Sequence, residues 1–254
     1  MEPIGHRFPH RTGNLSTLKM DLQSKIAVIT GAGRGVGAAI STTLVAKGTL
    51  VYGLARNKDD LKGLKTKLGD KFVPVPMDIT DQKAVYTWVA TTFSDRYSPD
   101  ILINNAGSGH FGKIDELSLD QWHGMINTNV NGLFYITSQI VPFMKRNKDT
   151  CHIINMGSIL GKTARSEGSA YCLTKYGIQG FSEALFRELR SYKIKVSCIN
   201  PGSIATDFFR ESGIAQHNYM IHPEDLANLL VHILETPDNF LIDEITLRPL
   251  ISKP

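Results

Sequence analysis

Short apolar segments alternate with segments of helical periodicity along nearly the whole chain. Residues 26–29 and 101–103 are apolar throughout, which is typical of strands buried on both faces of a sheet. This alternation predicts an α/β fold with one doubly wound parallel sheet, helices on both faces, and ligands at the carboxyl ends of the strands. The predicted strands are residues 26–29, 50–55, 72–76, 101–103, 152–156, 194–199 and 244–248, and the predicted helices are residues 36–47, 58–68, 82–93, 169–191 and 223–234, with two more in residues 119–145 that divide near residues 129–132.

One domain is predicted for residues 21–254, because 254 residues with 42 % hydrophobic content suit a single full core and no linker or repeat divides the chain. Residues 1–20 form a leader before that domain. The leader lacks the apolar centre of a secretory signal, so a cytoplasmic location is expected by default. It could be an upstream start, a cloning remnant or an arm that packs on a neighbouring molecule.

Charge and composition argue against several kinds of partner. The net charge is +4, but the lysines and arginines are dispersed, so neither nucleic acid nor a membrane surface is expected as a partner. No stretch of 18 apolar residues is present. The three cysteines are widely spaced without a C-x-x-C pair, and the predicted domain has no H-x-x-x-H pair, so no metal site is expected.

A glycine-rich turn follows the first predicted strand and precedes the first predicted helix. It reads Thr30-Gly-Ala-Gly-Arg-Gly-Val-Gly37. Glycine allows a sharp turn and a close approach of the backbone to a phosphate, and the N–H groups at a helix N-terminus attract anions. We therefore predict a dinucleotide site whose cofactor contacts in this turn are Gly31, Arg34, Gly35, Val36 and Gly37.

The second predicted strand runs into Arg56, at a position where NAD-binding proteins usually carry a carboxylate. Together with Arg34, it offers two guanidinium groups that suit a 2′-phosphate, which a carboxylate would repel. We predict NADP(H) as the preferred cofactor and NAD(H) as the alternative, although Arg56 could also be a solvated loop residue. Asp78 could accept a hydrogen bond from the adenine amine, or it could cap the helix that follows.

Tyr171 and Lys175 stand four residues apart in a predicted helix, and Ser158 precedes the tyrosine by thirteen residues. Residues at this spacing share a helix face, so the lysine charge could favour the phenolate. The ordinary tyrosine pKa is about 10, and proton transfer near pH 7 requires a much lower value. A serine hydroxyl could then hold a substrate oxygen beside the phenol. The pattern predicts acid–base chemistry at Tyr171, although an exposed pair at this spacing is usually a surface feature.

Seven motifs in order resemble those of the short-chain dehydrogenase/reductase family, including members similar to 3-oxoacyl-[acyl-carrier-protein] reductases. Beyond the glycine turn and the Tyr171–Lys175 pair, the motifs are Asp78-Ile79, Asn104-Asn-Ala-Gly107, Asn129 in Asn-Val-Asn-Gly132, Ser158, and Pro201-Gly202 with Thr206. The resemblance covers residue 21 to about residue 250. It implies a single-domain Rossmann-type sheet of about seven parallel strands, NAD(P)(H) binding, and a homodimer or homotetramer.

The resemblance also implies roles for the matching residues. Tyr171 would be the general acid for carbonyl reduction and the general base for alcohol oxidation. Lys175 would lower the Tyr171 pKa and hold the nicotinamide ribose, and Ser158 would bond the substrate oxygen. Asn129 would kink its helix and hold a water beside Lys175. The remaining implied cofactor contacts are Asp78, Ile79, Asn105, Ala106, Gly107, Pro201, Gly202, Ile204 and Thr206.

Two positions depart from the usual pattern of the family without removing a reacting atom. Gly157 precedes Ser158, at a position where many relatives have another serine. Cys172 and the next two residues, Leu and Thr, fill the space between Tyr171 and Lys175, where small residues are frequent in the family.

The long predicted helix also carries an apolar stripe around Ile178 to Leu189. The helix could pair two subunits in this region, or the stripe could simply face the sheet.

The least regular segments, residues 108–113, 159–168 and 207–221, are predicted to form the substrate pocket, and the last of them is expected to act as a lid. The preferred substrate is a 3-oxoacyl thioester or a similar aliphatic ketone. The alternatives are a small 3-hydroxy acid, a xenobiotic carbonyl compound, or no reaction at all in an NADP(H)-binding regulator. The candidate wall residues are Phe111, Ile159, Leu160, Phe208 and Phe209, and the polar candidates, each of which could be plain surface, are His110, Arg165, Arg210 and His217.

Overall fold

The computed structural model describes residues 19–208, residue 212 and residues 217–251. Most of the leader, residues 1–18, therefore lies outside the described part of the chain. So do Phe209 and Arg210 of the predicted substrate pocket, together with much of the predicted lid. Lys19 forms a bridge to Pro237, and Met20 is buried in the core.

Seven parallel strands form one sheet within the described residues, as the sequence predicts. The strands are β1 Ile26–Thr30, β2 Leu50–Ala55, β3 Phe72–Pro76, β4 Ile101–Asn104, β5 Cys151–Met156, β6 Ile194–Pro201 and β7 Glu244–Leu247. Their order is β3-β2-β1-β4-β5-β6-β7, and all pairings are parallel. The prolines of β3 are tolerated because that strand lies at the edge of the sheet.

Helices cover both faces of the sheet, because successive strand side chains point to opposite faces. The helices are α1 Gly35–Ala46, α2 Lys58–Leu68, α3 Gln82–Thr92, α4 Leu119–Ile126, α5 Leu133–Met144, α6 Ser169–Leu189 and α7 Pro223–Leu234. Ala27 and Ile29 pack with α1, α2 and α7, whereas Val28 packs with α3, α5 and α6.

The apolar stripe of α6 faces the sheet. Ile178, Leu185 and Leu189 are all buried, and the last two belong to the core under β5 and β6. Of the two alternatives left open by the sequence, the one in which the stripe faces the sheet is therefore confirmed for these three side chains, and subunit pairing through the rest of the helix stays a prediction. The exposed large side chains of α6 are instead Leu173 and Tyr176.

The strand order reverses direction at β1, which lies between β2 and β4. At such a point the connections leave the sheet toward opposite faces, and a crevice opens at the carboxyl ends of the strands. The glycine turn begins directly after β1, so the fold places it at this crevice.

Candidate active site

One large cavity, with a volume of about 1260 Å³, occupies the crevice at the carboxyl ends of the strands. We call it the main cavity. Every predicted cofactor or catalytic residue lines it except Gly37 and Asn129, which lie behind its wall. Of the substrate candidates in the described residues, all but His217 line it as well. The fold therefore brings together segments that are far apart in the sequence, and their roles remain predictions.

The glycine turn has a backbone shape that requires glycine at two positions. Gly31 and Gly35 have φ of 66° and 53°, in the left-handed region that side chains disfavour. A Cβ atom on Gly31 would lie 2.9 Å from the Cα atom of Ala106, and one on Gly37 would lie 2.2 Å from the Gly31 carbonyl oxygen. Bare backbone thus forms a cradle at the N-terminus of α1, a fit for a pyrophosphate.

Hydrogen bonds join this cradle to the segment after β4. The Asn105 Nδ2 atom donates to the carbonyl oxygens of Thr30 at 3.0 Å and Gly31 at 3.2 Å. The backbone N–H groups of Asn105 and Ala106 both donate to the Thr30 hydroxyl oxygen, each at 3.0 Å. These hydrogen bonds therefore fix the position of the glycine turn relative to the segment after β4.

The far end of the main cavity carries both predicted arginines, Arg34 and Arg56. Asp60 lies there as well, although it was not predicted from the sequence as a cofactor-binding residue. Asp60 lies in the first turn of α2, and its carboxylate oxygen would be 3.6 Å from a Cβ atom on Gly33. The available signal was its place four residues after Arg56, in the first turn of the helix that follows the second strand.

Asp78 lies in the wall of the main cavity and does not cap the following helix. Its Oδ1 atom accepts hydrogen bonds from the Thr80 backbone N–H at 2.9 Å and from the Thr80 hydroxyl at 2.8 Å. Asp81 is the N-cap of α3, accepting from the Ala84 N–H at 3.0 Å. The capping alternative for Asp78 is therefore wrong, because α3 begins one turn later.

Tyr171 and Lys175 lie on the inner face of α6 and are both buried, so this pair is no surface feature. The Lys175 ammonium donates to the Met156 carbonyl oxygen at 2.8 Å and lies 5.7 Å from the centre of the Tyr171 ring. Ser158 approaches from the segment after β5. Its hydroxyl oxygen accepts a hydrogen bond from the Leu160 N–H at 3.1 Å.

Burial controls the ionisation of this pair. It raises the pKa of Tyr171, and the neighbouring Ser158 side chain lowers that pKa by a smaller amount. It lowers the pKa of Lys175 to about 8. The expected depression of the Tyr171 pKa by Lys175 is not found. The physical reason is that removal of the phenol from water dominates, while the lysine ammonium is directed at a backbone carbonyl.

Asn129 lies at a break between two helices, as the family resemblance implies. Residues Asn127–Gly132 form a π-helical turn between α4 and α5. The Asn129 side chain accepts from the Ser108 N–H and donates to the Ser108 carbonyl oxygen, both at 2.8 Å, and also donates to Thr174 on α6 at 3.0 Å. A Cβ atom on Gly107 would lie 3.6 Å from the Asn129 oxygen and 3.8 Å from the Lys175 ammonium. The predicted water at this place stays a prediction.

Aromatic rings form the wall of the main cavity around the Tyr171 phenol. Phe111 and Phe208 lie with ring centres 5.2 Å and 6.0 Å from the Tyr171 ring. The Arg165 guanidinium lies over Phe111 at 5.0 Å and is exposed. Gly109 leaves room for Phe208, since a Cβ atom there would lie 2.5 Å from it. This wall offers an apolar surface with one cation at its edge.

Within the described residues, no group of three or more histidine, cysteine or acidic side chains is arranged to hold a metal ion. In the same part of the chain, no helix is long and apolar enough to span a membrane.

The short chain dehydrogenase family model matches residues 25–216. This chain belongs to that family. It is therefore an oxidoreductase, and the resemblance inferred from its motifs is confirmed. It is 32 % identical over 230 residues to an uncharacterized oxidoreductase of Staphylococcus aureus, which covers 90 % of this chain and 99 % of that relative.

Two further relatives have named activities. The 3-oxoacyl-[acyl-carrier-protein] reductase FabG of Haemophilus influenzae is 33 % identical over 186 residues, covering 73 % of this chain and 76 % of the relative. Among solved structures, a closed form of serine dehydrogenase complexed with NADP+ is 28 % identical, with a TM-score of 0.81 over 87 % of this chain and 93 % of that one.

A 3-ketoacyl-(acyl-carrier-protein) reductase from Brucella melitensis complexed with NADH is also similar in structure. It is 26 % identical, with a TM-score of 0.83 over 90 % of this chain and 98 % of that one.

Proposed function

We propose that this short-chain dehydrogenase interconverts a carbonyl compound and a secondary alcohol by hydride transfer, with NADP(H) as its preferred cofactor. The observation that carries the proposal is a single cavity that holds the glycine cradle at one end and the buried Tyr171, Lys175 and Ser158 at the other. All four predicted catalytic residues are present, which disfavours the alternative of a non-catalytic NADP(H)-binding regulator.

The cradle residues and the second guanidinium suit the phosphates of such a cofactor. The backbone of Gly31 to Gly37 would hold the pyrophosphate at the N-terminus of α1. Arg34 and Arg56 would hold a 2′-phosphate through charge-assisted hydrogen bonds. Asp60 lies in the same end of the cavity and would accept a ribose hydroxyl, which keeps NAD(H) as the alternative. The bound nicotinamide would supply or receive the hydride.

The residues of this chain would orient the substrate and move the proton. The Ser158 hydroxyl would hold the substrate oxygen, and the Tyr171 phenol would donate its proton to that oxygen during reduction and withdraw it during oxidation. Such proton transfer contributes typically 10²–10⁴-fold to a rate. Lys175 would stabilise the phenolate as it forms. Phe111 and Phe208 would exclude water from the phenol.

A 3-oxoacyl thioester or a similar aliphatic ketone is the first choice of substrate. The apolar wall of Phe111, Leu160 and Phe208 suits an acyl chain, and the likeness to FabG supports it. A small hydroxy acid is the second choice. The exposed Arg165 at the edge of this wall could pair with a carboxylate, and the likeness to serine dehydrogenase supports it. A xenobiotic carbonyl compound, the remaining alternative, would contact only the apolar wall.

We also propose that the chain assembles as a homodimer or homotetramer and acts in the cytoplasm. Phe134 of α5 and Leu173 and Tyr176 of α6 are exposed large side chains, suited to contact with a second copy. The three cysteines are all free and buried, as expected in a reducing compartment. Light scattering of the purified protein tests the assembly, and a monomer at micromolar concentration would contradict it.

Oxidation of NADPH and of NADH, measured in parallel against a panel of carbonyl compounds, tests the proposal. The panel includes acetoacetyl-coenzyme A, with the reverse reaction measured on 3-hydroxybutyrate and L-serine. We expect the fastest turnover with NADPH and the thioester. Turnover of the hydroxy acids alone would favour the second choice of substrate. NADPH binding without any turnover, across all compounds, would favour the regulator and contradict hydride transfer.

A further inference from the structure

Asn200 has a side chain that no role assigned above explains. It lies on β6 directly before Pro201 and is completely buried. Its Oδ1 atom accepts a hydrogen bond from the Ser158 backbone N–H at 3.2 Å and another from the Gln179 side-chain amide. The Cys198 thiol lies 3.6 Å from the same oxygen. One carboxamide oxygen therefore gathers three donors behind the main cavity.

These donors come from the segments that carry the proposed chemistry. Ser158 follows β5, and Gln179 lies on α6 four residues after Lys175, which itself lies four residues after Tyr171. Residues at this spacing share a helix face, so Gln179 continues the face that bears the reacting pair. Asn200 thus connects Ser158, the catalytic face of α6 and the start of the Pro201–Gly202 segment.

The departure of this sequence at Gly157 follows from the same contact. A Cβ atom on Gly157 would lie 2.1 Å from the Asn200 Oδ1 atom, closer than any real contact allows. The space that a side chain at position 157 would need is filled by the Asn200 carboxamide. Gly157 and Asn200 therefore form a matched pair, and the close approach brings the amide oxygen to the Ser158 N–H.

The other end of the Asn200 carboxamide indicates that the contact has a purpose beyond packing. Its Nδ2 atom is buried and has no hydrogen-bond partner among the described residues. A buried unpaired donor costs free energy that an apolar side chain of the same size would avoid. The acceptor at Oδ1 is what an apolar residue could not supply.

We propose that Asn200, supported by Gln179, is a positioning residue that fixes the Ser158 backbone relative to Tyr171 and Lys175. The proposal rests on the proposed function for the role of Ser158 itself. The Ser158 hydroxyl would contact a substrate oxygen that gains negative charge in the transition state, so a displaced Ser158 weakens transition-state binding more than substrate binding.

The test compares Asn200→Leu and Gln179→Leu with the control Asn155→Leu. Leucine has the same number and branching of side-chain heavy atoms as asparagine but no hydrogen-bond acceptor. Asn155 is also fully buried in the sheet, but within the described residues its side chain is hydrogen-bonded to Asn104 and Ser182 rather than to Ser158. Urea unfolding of each variant measures the general cost of losing a buried amide, so that effects on Ser158 can be separated from effects on the fold.

Two readouts decide the outcome. Hydrogen exchange of the Ser158 amide in the cofactor-free protein should be about tenfold faster in Asn200→Leu, as expected for loss of one hydrogen bond. It should be unchanged in Asn155→Leu. With the panel compound that is reduced fastest, kcat should fall about tenfold in Asn200→Leu, while the KM for that compound changes less than about twofold. Gln179→Leu should show a smaller change of the same kind.

Exchange of the Ser158 amide at the control rate in Asn200→Leu would overturn the proposal. So would a normal kcat in a variant whose Ser158 amide exchanges rapidly. The exchange measurement needs neither cofactor nor substrate. If no panel compound is turned over, the proposed function fails, while the position of the Ser158 backbone is still decided by hydrogen exchange.

Discussion

Burial places the two reacting side chains in protonation states that suit carbonyl reduction at neutral pH. The raised pKa of Tyr171 keeps the phenol protonated, the form that a general acid requires. The lowered pKa of Lys175, about 8, leaves its ammonium charged at pH 7 but easily deprotonated above pH 8. Alcohol oxidation needs the phenolate, so we expect that direction to be favoured by higher pH.

Replacement of Lys175 separates a catalytic residue from a structural one. Lys175→Met should lose about 10²–10⁴-fold in turnover. The variant should also be more stable than the wild type at pH 7, by up to about 3 kcal/mol, because a lysine with a pKa of about 8 in the fold and 10.5 when unfolded opposes folding while it is charged. The folded pKa is the lower one, so this penalty is complete below pH 8 and disappears as the pH rises to 10.5. Urea unfolding at pH 7 and pH 10 measures this penalty. A variant that is less stable than the wild type and fully active would contradict both the folding penalty of Lys175 and its catalytic role.

The cofactor preference is tested at Arg56. Arg56→Asp should lower the ratio of kcat/KM for NADPH to that for NADH by about 10–100-fold, since hydrogen bonds to charged groups contribute about 1.5–3 kcal/mol. Asp60→Asn is the matched control, because it removes a negative charge from the same end of the cavity. It should raise the ratio. Steady-state kinetics with both cofactors measures these changes, and an unaltered ratio in Arg56→Asp would remove the 2′-phosphate argument.

The elements show which parts of the fold and site follow from local sequence. The strands and helices were predicted nearly to their ends, because apolar runs and turn glycines are local signals. The break near Asn129 was located through its motif. The Tyr171 pKa, the contact between Gly157 and Asn200, and the presence of Asp60 in the cavity could not be predicted. Each depends on segments that meet only after folding, and sequence spacing carries no information on burial.

The glycine turn between β1 and α1 provides a test at the scale of an element. Gly35→Ala puts a side chain on a residue with φ of 53°, with its Cβ atom 3.1 Å from Thr206. We expect weaker NADPH binding by calorimetry, together with a loss of stability of about 1–3 kcal/mol. Gly48→Ala, at φ of 88° beyond the end of α1, is the control. It should lose similar stability but bind NADPH normally, and equal binding losses in both would contradict a local role for the turn.

At the scale of the whole molecule, the centre of the sheet makes stability depend on pH. His152 on β5 is completely buried, and its Nε2 atom is 2.8 Å from the Ser197 hydroxyl oxygen on β6. Burial, with a smaller contribution from Lys195, lowers the His152 pKa to about 3. As the pH falls, the His152 imidazole therefore binds a proton near pH 6.5 in the unfolded chain but stays neutral in the folded chain until about pH 3.

This linkage predicts a loss of stability on mild acidification. The folded pKa is the lower one, so the contribution of His152 is complete above pH 6.5 and is lost as the pH falls toward 3. Between pH 7 and pH 5 the wild type should lose about 2 kcal/mol from this group alone. His152→Gln should lose about that much less over the same interval. Urea unfolding at both pH values measures the difference, and equal pH dependence of the two proteins would contradict the burial of a neutral histidine.

The central claim is that one cavity joins the glycine cradle of β1 to the reacting face of α6. Its most direct measurement is the turnover of Tyr171→Phe with the panel compound that the wild type reduces fastest, beside the dissociation constant for NADPH. We expect kcat to fall by at least about 100-fold, because the proton donor is removed, while NADPH binding changes less than about threefold. Retained turnover would contradict the assignment of Tyr171. If the variant lost both turnover and NADPH binding, the two ends of the cavity would not act as proposed.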